Sequence, residues 1–167
     1  MMREHWEKIK RMVRDNEINR VVEIYNEMEV NEAEILKQKL IHELSETDDV
    51  CYRNTIAIIL GDLGCDKAID ILLELILNPN NINCRGTLIY ALRELNCEHK
   101  ISRLMHIIAD GNYEVKWTIQ ELLLEKIESM NESDKSNCIN ILKEERDRLR
   151  EATGCIEDIL NNIFMCQ

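Results

Sequence analysis

The feature that most constrains the fold of this sequence is that it repeats itself. DVCYRNTIAIILGDLGCDKAIDILLELILN, beginning at Asp49, lies over NINCRGTLIYALRELNCEHKISRLMHIIAD, beginning at Asn81, without a gap. At this offset Arg53 meets Arg85, Thr55 meets Thr87, Leu60 meets Leu92, Leu63 meets Leu95 and Cys65 meets Cys97. Further along, Ile69 meets Ile101, Leu72 meets Leu104 and Ile76 meets Ile108. A third copy starts at NYEVKWTIQELLLEK, where Lys116 takes the Arg position and Thr118, Ile119, Leu122 and Leu123 keep the pattern. A period of this length belongs to units that cannot bury their apolar side alone and must stack on neighbours.

Each unit reads as two helices. Ile56, Ile59, Leu60 and Leu63 recur at i, i+3, i+4 and i+7, and Ile69, Leu72, Leu73 and Ile76 do so again. Asp49, Asn81 and Asn112 stand before the first helix of each copy, where an Asx side chain accepts a bond from an unpaired backbone N–H. Gly64 and Asn96 stand where that helix should stop in a left-handed turn. Before the first copy, Ile18, Val21, Val22 and Tyr25 form one stripe, and the NEAE at Asn31 to Glu34 is placed to be a capping box for a helix carrying Leu36, Leu40 and Leu44. Met2, Trp6, Ile9 and Val13 at one end, and Ile156, Ile159, Leu160, Ile163 and Phe164 at the other, supply apolar faces for closing a stack. Between residues 127 and 151 the Gly turn and the apolar spacing are lost, and KEERDRLRE from Lys143 to Glu151 reads as a solvated helix face, with Glu144 and Arg148 spaced to pair.

The expected fold is therefore all-α, a right-handed α-solenoid of stacked helical hairpins in one domain. Its parts are degenerate N-terminal helices over 1–48, repeats over 49–79 and 80–111, a degenerate repeat over 112–150 and a capping helix over 151–167. The pattern D-x-x-x-R, an apolar run ending in LG, then A-I-x-x-L-L-x-L-I over residues 49–110 resembles HEAT repeats, especially the short bacterial kind related to phycobilisome lyases. That resemblance implies second helices lining a concave surface that grips another protein, and it brings no catalytic residue with it. Carried onto this chain, the surface comprises Lys67, Asp70, Ile71 and Glu74 in one copy and His99, Ser102, Arg103 and His106 in the next.

Charge bears on the partner. With 21 Lys and Arg against 32 Asp and Glu, a formal net charge of −11 opposes direct contact with nucleic acid and favours a basic protein. Seven cysteines without a CxxC, and no apolar leader in MMREHWEKIKRMVRDNE, point to free thiols in the cytoplasm. IDILLELIL, the most apolar stretch, is broken by Asp70 and Glu74 and falls short of the ~18 apolar residues a membrane span needs. His42, His99, His106 and Cys97 lack the spacing of a metal site, and no nucleophile motif or phosphate loop is present, so no cofactor, metal or enzymatic activity is expected.

Trp117 aligns with Asn54 and Gly86, and Tyr90 aligns with Ile58 and Glu121. Either these aromatics pack within the stack, or they are exposed anchors of the kind enriched at binding hot spots. The favoured function is a dedicated inhibitor similar to the small helical-repeat immunity proteins of bacterial toxin systems. It would act as a monomer that covers a basic nuclease one to one. A general scaffold, adaptor or chaperone-like assembly factor is the alternative. A HEAT-like DNA glycosylase is opposed by the acidity, and a bilin lyase lacks a chromophore-handling site.

Overall fold

A computed structural model describes the backbone of residues 2–165 and the side chains of residues 5–157. Among the described residues the chain is all-helical, with no strand. Nine α-helices run in order: α1 (Met2–Arg14), α2 (Ile18–Asn26), α3 (Val30–Glu46), α4 (Val50–Asp62), α5 (Ile69–Leu77), α6 (Gly86–Ala91), α7 (Ile107–Asp110), α8 (Tyr113–Lys126) and α9 (Glu132–Met165). Short 3₁₀ segments occupy Asp66–Ala68, Pro79–Asn81 and Glu98–Leu104.

The local punctuation is partly as expected. Asp49 accepts from the Tyr52 backbone N–H at 3.1 Å and Asn112 from that of Val115 at 2.9 Å, capping α4 and α8. Gly64 takes the left-handed turn after α4 with φ 57°. Asn81 and Asn96 depart from the expectation. Asn81 caps nothing: Arg85 occupies the N-cap position of α6 without a side-chain cap bond, and the Asn81 side chain turns inward instead. Asn96 stays out of the left-handed region because the Asp66 carboxylate holds both its backbone N–H, at 2.9 Å, and its side-chain amide, at 2.6 Å. The residue that does adopt positive φ outside glycine is Asn16, at 57°.

The NEAE segment is not a capping box either. α3 begins at Val30 behind Glu29, which makes no side-chain cap bond, and Glu34 instead reaches Lys67.

Equivalent helices lie side by side in two layers. In one layer α1 and α2 pack on α4, α4 on α6, and α6 on α8; in the other α3 packs on α5, α5 on Glu98–Leu104, and that segment on α9. The core between the layers contains the residues that the repeat aligns. Leu60, Leu72, Leu92, Leu95 and Leu104 are wholly buried, each stabilising the fold by roughly 2 kcal/mol through loss of apolar surface to water. Polar links between the copies recur at nearly constant spacing: Asp66 to Asn96, Asp70 to Lys100, Arg93 to Glu125, and the Leu95 carbonyl to the Lys126 ammonium.

The second copy departs from the regular hairpin. α6 tightens after six residues, with Leu92, Arg93 and Leu95 donating to carbonyls three residues back. Its partner is the 3₁₀ segment Glu98–Leu104 followed by α7, which still buries Ile101, Leu104 and Met105.

At the C-terminus, α9 runs unbroken from Glu132 to Met165, so the division placed at residue 150 falls inside one helix. The apolar positions Ile159, Leu160, Ile163 and Phe164, and likewise Met2, lie outside the described side chains.

Candidate partner-binding faces

The residues proposed for the concave surface fall on the second-helix layer, and most are engaged within the protein. Lys67 pairs with Glu34 of α3; Asp70 takes the Lys100 ammonium at 2.8 Å and Arg103 at 3.7 Å; His106 Nδ1 lies 3.1 Å from Glu145 of α9, which also accepts from Arg148. The expected Glu144–Arg148 pair is replaced by Arg148 to Glu145 and to Asp110. Hydrogen bonds from Lys100, then its charge and that of Arg103, hold the Asp70 carboxyl below the usual carboxylate range; His106 and Arg148 do the same for Glu145. These side chains form a ladder tying one copy to the next. Glu74 and His99 are exposed and in no ion pair among the described residues, while Ile71 and Ser102 are half-buried.

Trp117 lies on α8, in the other layer, and the structure does not bring it together with the second-helix residues. It is half exposed and stacks on Tyr113, itself 80% exposed, with ring centroids 6.4 Å apart. Tyr90 of α6 is half exposed in the same layer, with the Arg93 guanidinium 5.2 Å from its ring centroid.

Tyr90 edges an open groove of about 410 Å³ lined by Asn16, Glu17, Ile18, Arg20, Ile58 and Asp62. The start of α2 forms one wall and α4 and α6 the other, because α2 packs against α4. Burial first, and then the neighbouring carboxylate of Glu94, push the Asp62 carboxyl above its ordinary range. Asp62 and Glu94 stand at the same position of successive copies, and Glu125 stands there in the third, where Arg93 neutralises it. Neither Asp62 nor Glu94 has an ion-pair partner among the described residues. The sequence carries this signal in the aligned copies, but it is easily missed because carboxylates are so numerous.

Among the described residues no group of three His, Cys, Asp or Glu is placed to hold a metal ion, and no helix is long and apolar enough to cross a membrane. Comparisons of the chain with protein-family models, curated proteins and solved structures find no match.

Proposed function

We propose that this protein is a non-enzymatic binding module built as a right-handed, HEAT-like α-solenoid, and that it works as an immunity-type inhibitor that neutralises a basic protein such as a toxin nuclease. The two-layer stacking of equivalent helices supports the solenoid reading. The observation that carries the partner's chemistry is the Asp62–Glu94 pair near Tyr90: two like charges, with Asp62 lining the groove, neither in an ion pair among the described residues, while the groove's own cation, Arg20, is held by Glu17. A Lys or Arg side chain entering the groove would remove that repulsion while laying its methylene stem on Tyr90 and Ile58. This moves the weight of the interface from the second-helix ladder to the first-helix layer. Glu74 remains the unpaired carboxylate of the original surface.

Inhibition on this reading is steric and electrostatic. Carboxylates occupy the cations a nuclease needs for phosphate, and a helical face of standard interface size, about 1,600 Å², covers the approach. The test is titration calorimetry of the full chain against the product of the adjacent gene, with cytochrome c as a basic protein of unrelated shape. A saturable one-to-one complex with the first and none with the second supports the proposal. Equal binding to both, or to neither, overturns it.

A further inference from the structure

The two preceding copies show what the outer side of α8 is built for. Counting through the repeat, Trp117 takes the position of Asn54 and Gly86, Gln120 that of Ala57 and Ile89, and Leu124 that of Gly61 and Arg93. In those copies these positions carry the next copy's first helix. A Cβ on Gly61 would lie 2.7 Å from the Ala91 carbonyl oxygen, one on Gly86 would meet the Glu114 side chain, and Arg93 reaches Glu121 and Glu125. Among the described residues no first helix of a further copy takes that place on α8, and α9 packs on Glu98–Leu104 and α7 instead. A stack that simply ended here would be expected to present a polar cap. Instead it presents large apolar side chains: Trp117, Leu124 (63% exposed) and the half-exposed Ile127.

The charges on this stripe select its occupant. Lys116 and Glu128 lie at its two ends, both exposed and neither in an ion pair among the described residues. Past the end of α8 at Lys126 the chain keeps a helical turn through Glu128, the Ile127 N–H donating to the Leu123 carbonyl and the Met130 N–H to the Lys126 carbonyl. Lys116 and Glu128 are about 18 Å apart along the axis, at ~1.5 Å per residue, and together with Trp117, Gln120, Leu124 and Ile127 they fall within a sector of about 120°. The other carboxylates of α8 are turned toward α6, where Arg93 holds Glu121 and Glu125. The stripe is thus close to neutral on an acidic protein, so it offers a basic partner little and adds no like-charge contact of its own against a second copy.

We infer that the outer stripe of α8 is the site at which a second copy of this chain docks antiparallel, about a twofold axis at Leu122. That register sets Lys116 against Glu128 of the second copy, Trp117 against Ile127 and Gln120 against Leu124, each pair occurring twice by symmetry.

The test is sedimentation velocity on the full chain across micromolar to millimolar concentration, with helicity checked by circular dichroism. The wild type is expected to pass from monomer to dimer. Lys116→Glu and Glu128→Lys should each weaken self-association by on the order of tenfold, since each loses two ion pairs and gains two like-charge contacts. Combining the reversals should restore it to within about threefold of wild type, and Leu124→Glu should abolish it. A wild-type monomer throughout the range, or a dimer that ignores Leu124→Glu and both charge reversals, overturns the inference. All three substitutions lie on the exposed surface, so loss of the fold is not the expected cause of any change.

Discussion

The Arg53 guanidinium donates to the Asn81 side-chain oxygen at 3.0 Å, and the same Asn81 amide donates to the Leu75 carbonyl at 2.9 Å. Arg53 is 4% exposed and its remaining N–H groups find no partner. Leu75, in the last turn of α5, would ordinarily receive the N–H four residues on, but that residue is Pro79, which has none. Asn81 therefore serves a buried cation with one end and an orphaned helix carbonyl with the other.

Asn81→Ala should cost about 3 kcal/mol, because it strands a buried charge and a buried carbonyl together. Arg53→Met should cost clearly less, since it removes the charge along with its unsatisfied N–H groups. Denaturant unfolding of the two variants checks the order. If Arg53→Met is the more damaging, the unsatisfied guanidinium is not the liability described.

Leu92→Ala should cost roughly 2 to 5 kcal/mol, as expected for a cavity at a wholly buried position shared by two copies. Chemical melts reading less than about 0.5 kcal/mol, the range of surface changes, would mean that the copies do not pack in this register.

The carboxylates make opposite contributions to stability with pH. Asp70, held low by Lys100, stabilises the fold above the ordinary carboxylate range and loses that contribution as pH falls through its depressed value. Asp62 is raised by burial and by Glu94, so the fold is relatively favoured when it is protonated and pays for its ionisation as pH rises. At pH 7, Asp70→Asn should lower the melting temperature and Asp62→Asn should raise it. The Asp62 difference should fade as pH drops into the ordinary carboxylate range, whereas the Asp70 difference should persist to lower pH and be lost only once its depressed value is passed. Matching signs at pH 7 would contradict this account.

Thiol reactivity should divide by position. Cys51 and Cys155 are exposed, whereas Cys65, Cys97 and Cys138 are buried. Burial raises all three buried thiols, Cys97 to about 11, and Cys97 donates to the Leu92 carbonyl at 3.4 Å. Alkylation of the native protein followed by mass spectrometry should modify Cys51 and Cys155 first and leave those three until denaturant is added. Early modification of Cys97 would show that the turn between α6 and Glu98–Leu104 opens.

The parts of the fold legible in the sequence are those fixed by periodicity. Ile56 and Leu60 on α4, and Leu72 and Ile76 on α5, are each spaced for one face of their helix, and both faces are buried. Properties that depend on a third element were not legible. Asn81 has the composition of a cap, but Arg53 lies 28 residues away in sequence and claims its oxygen. Asp70 and His106 point outward from their own segments, yet the neighbouring copy supplies their counter-ions. Trp117 could be placed on a helix by sequence; its exposure depends on α9 packing against Glu98–Leu104 and α7 and not against the outer side of α8.

The partner prediction rests on that distinction between engaged and unengaged carboxylates. If every acidic residue contributed only through net charge, reversing any two would slow encounter with a basic partner alike. The structure separates them: Asp70 is spent on Lys100 and Arg103, while Asp62 and Glu94 repel each other beside Tyr90. Changing both Asp62 and Glu94 to Lys should therefore slow association, flatten its salt dependence and speed dissociation, because contacts at the groove are lost along with the field. Asp70→Lys should mainly disturb stability, by placing a cation against Lys100 and Arg103. Tyr90→Ala should speed dissociation with little change in the association rate or its salt dependence, as for an anchor that acts after encounter. Stopped-flow rates at several ionic strengths measure all of these. If Asp70→Lys at temperatures where it remains folded impairs binding more than the Asp62 and Glu94 reversals, the partner sits on the second-helix layer and the groove is not its site.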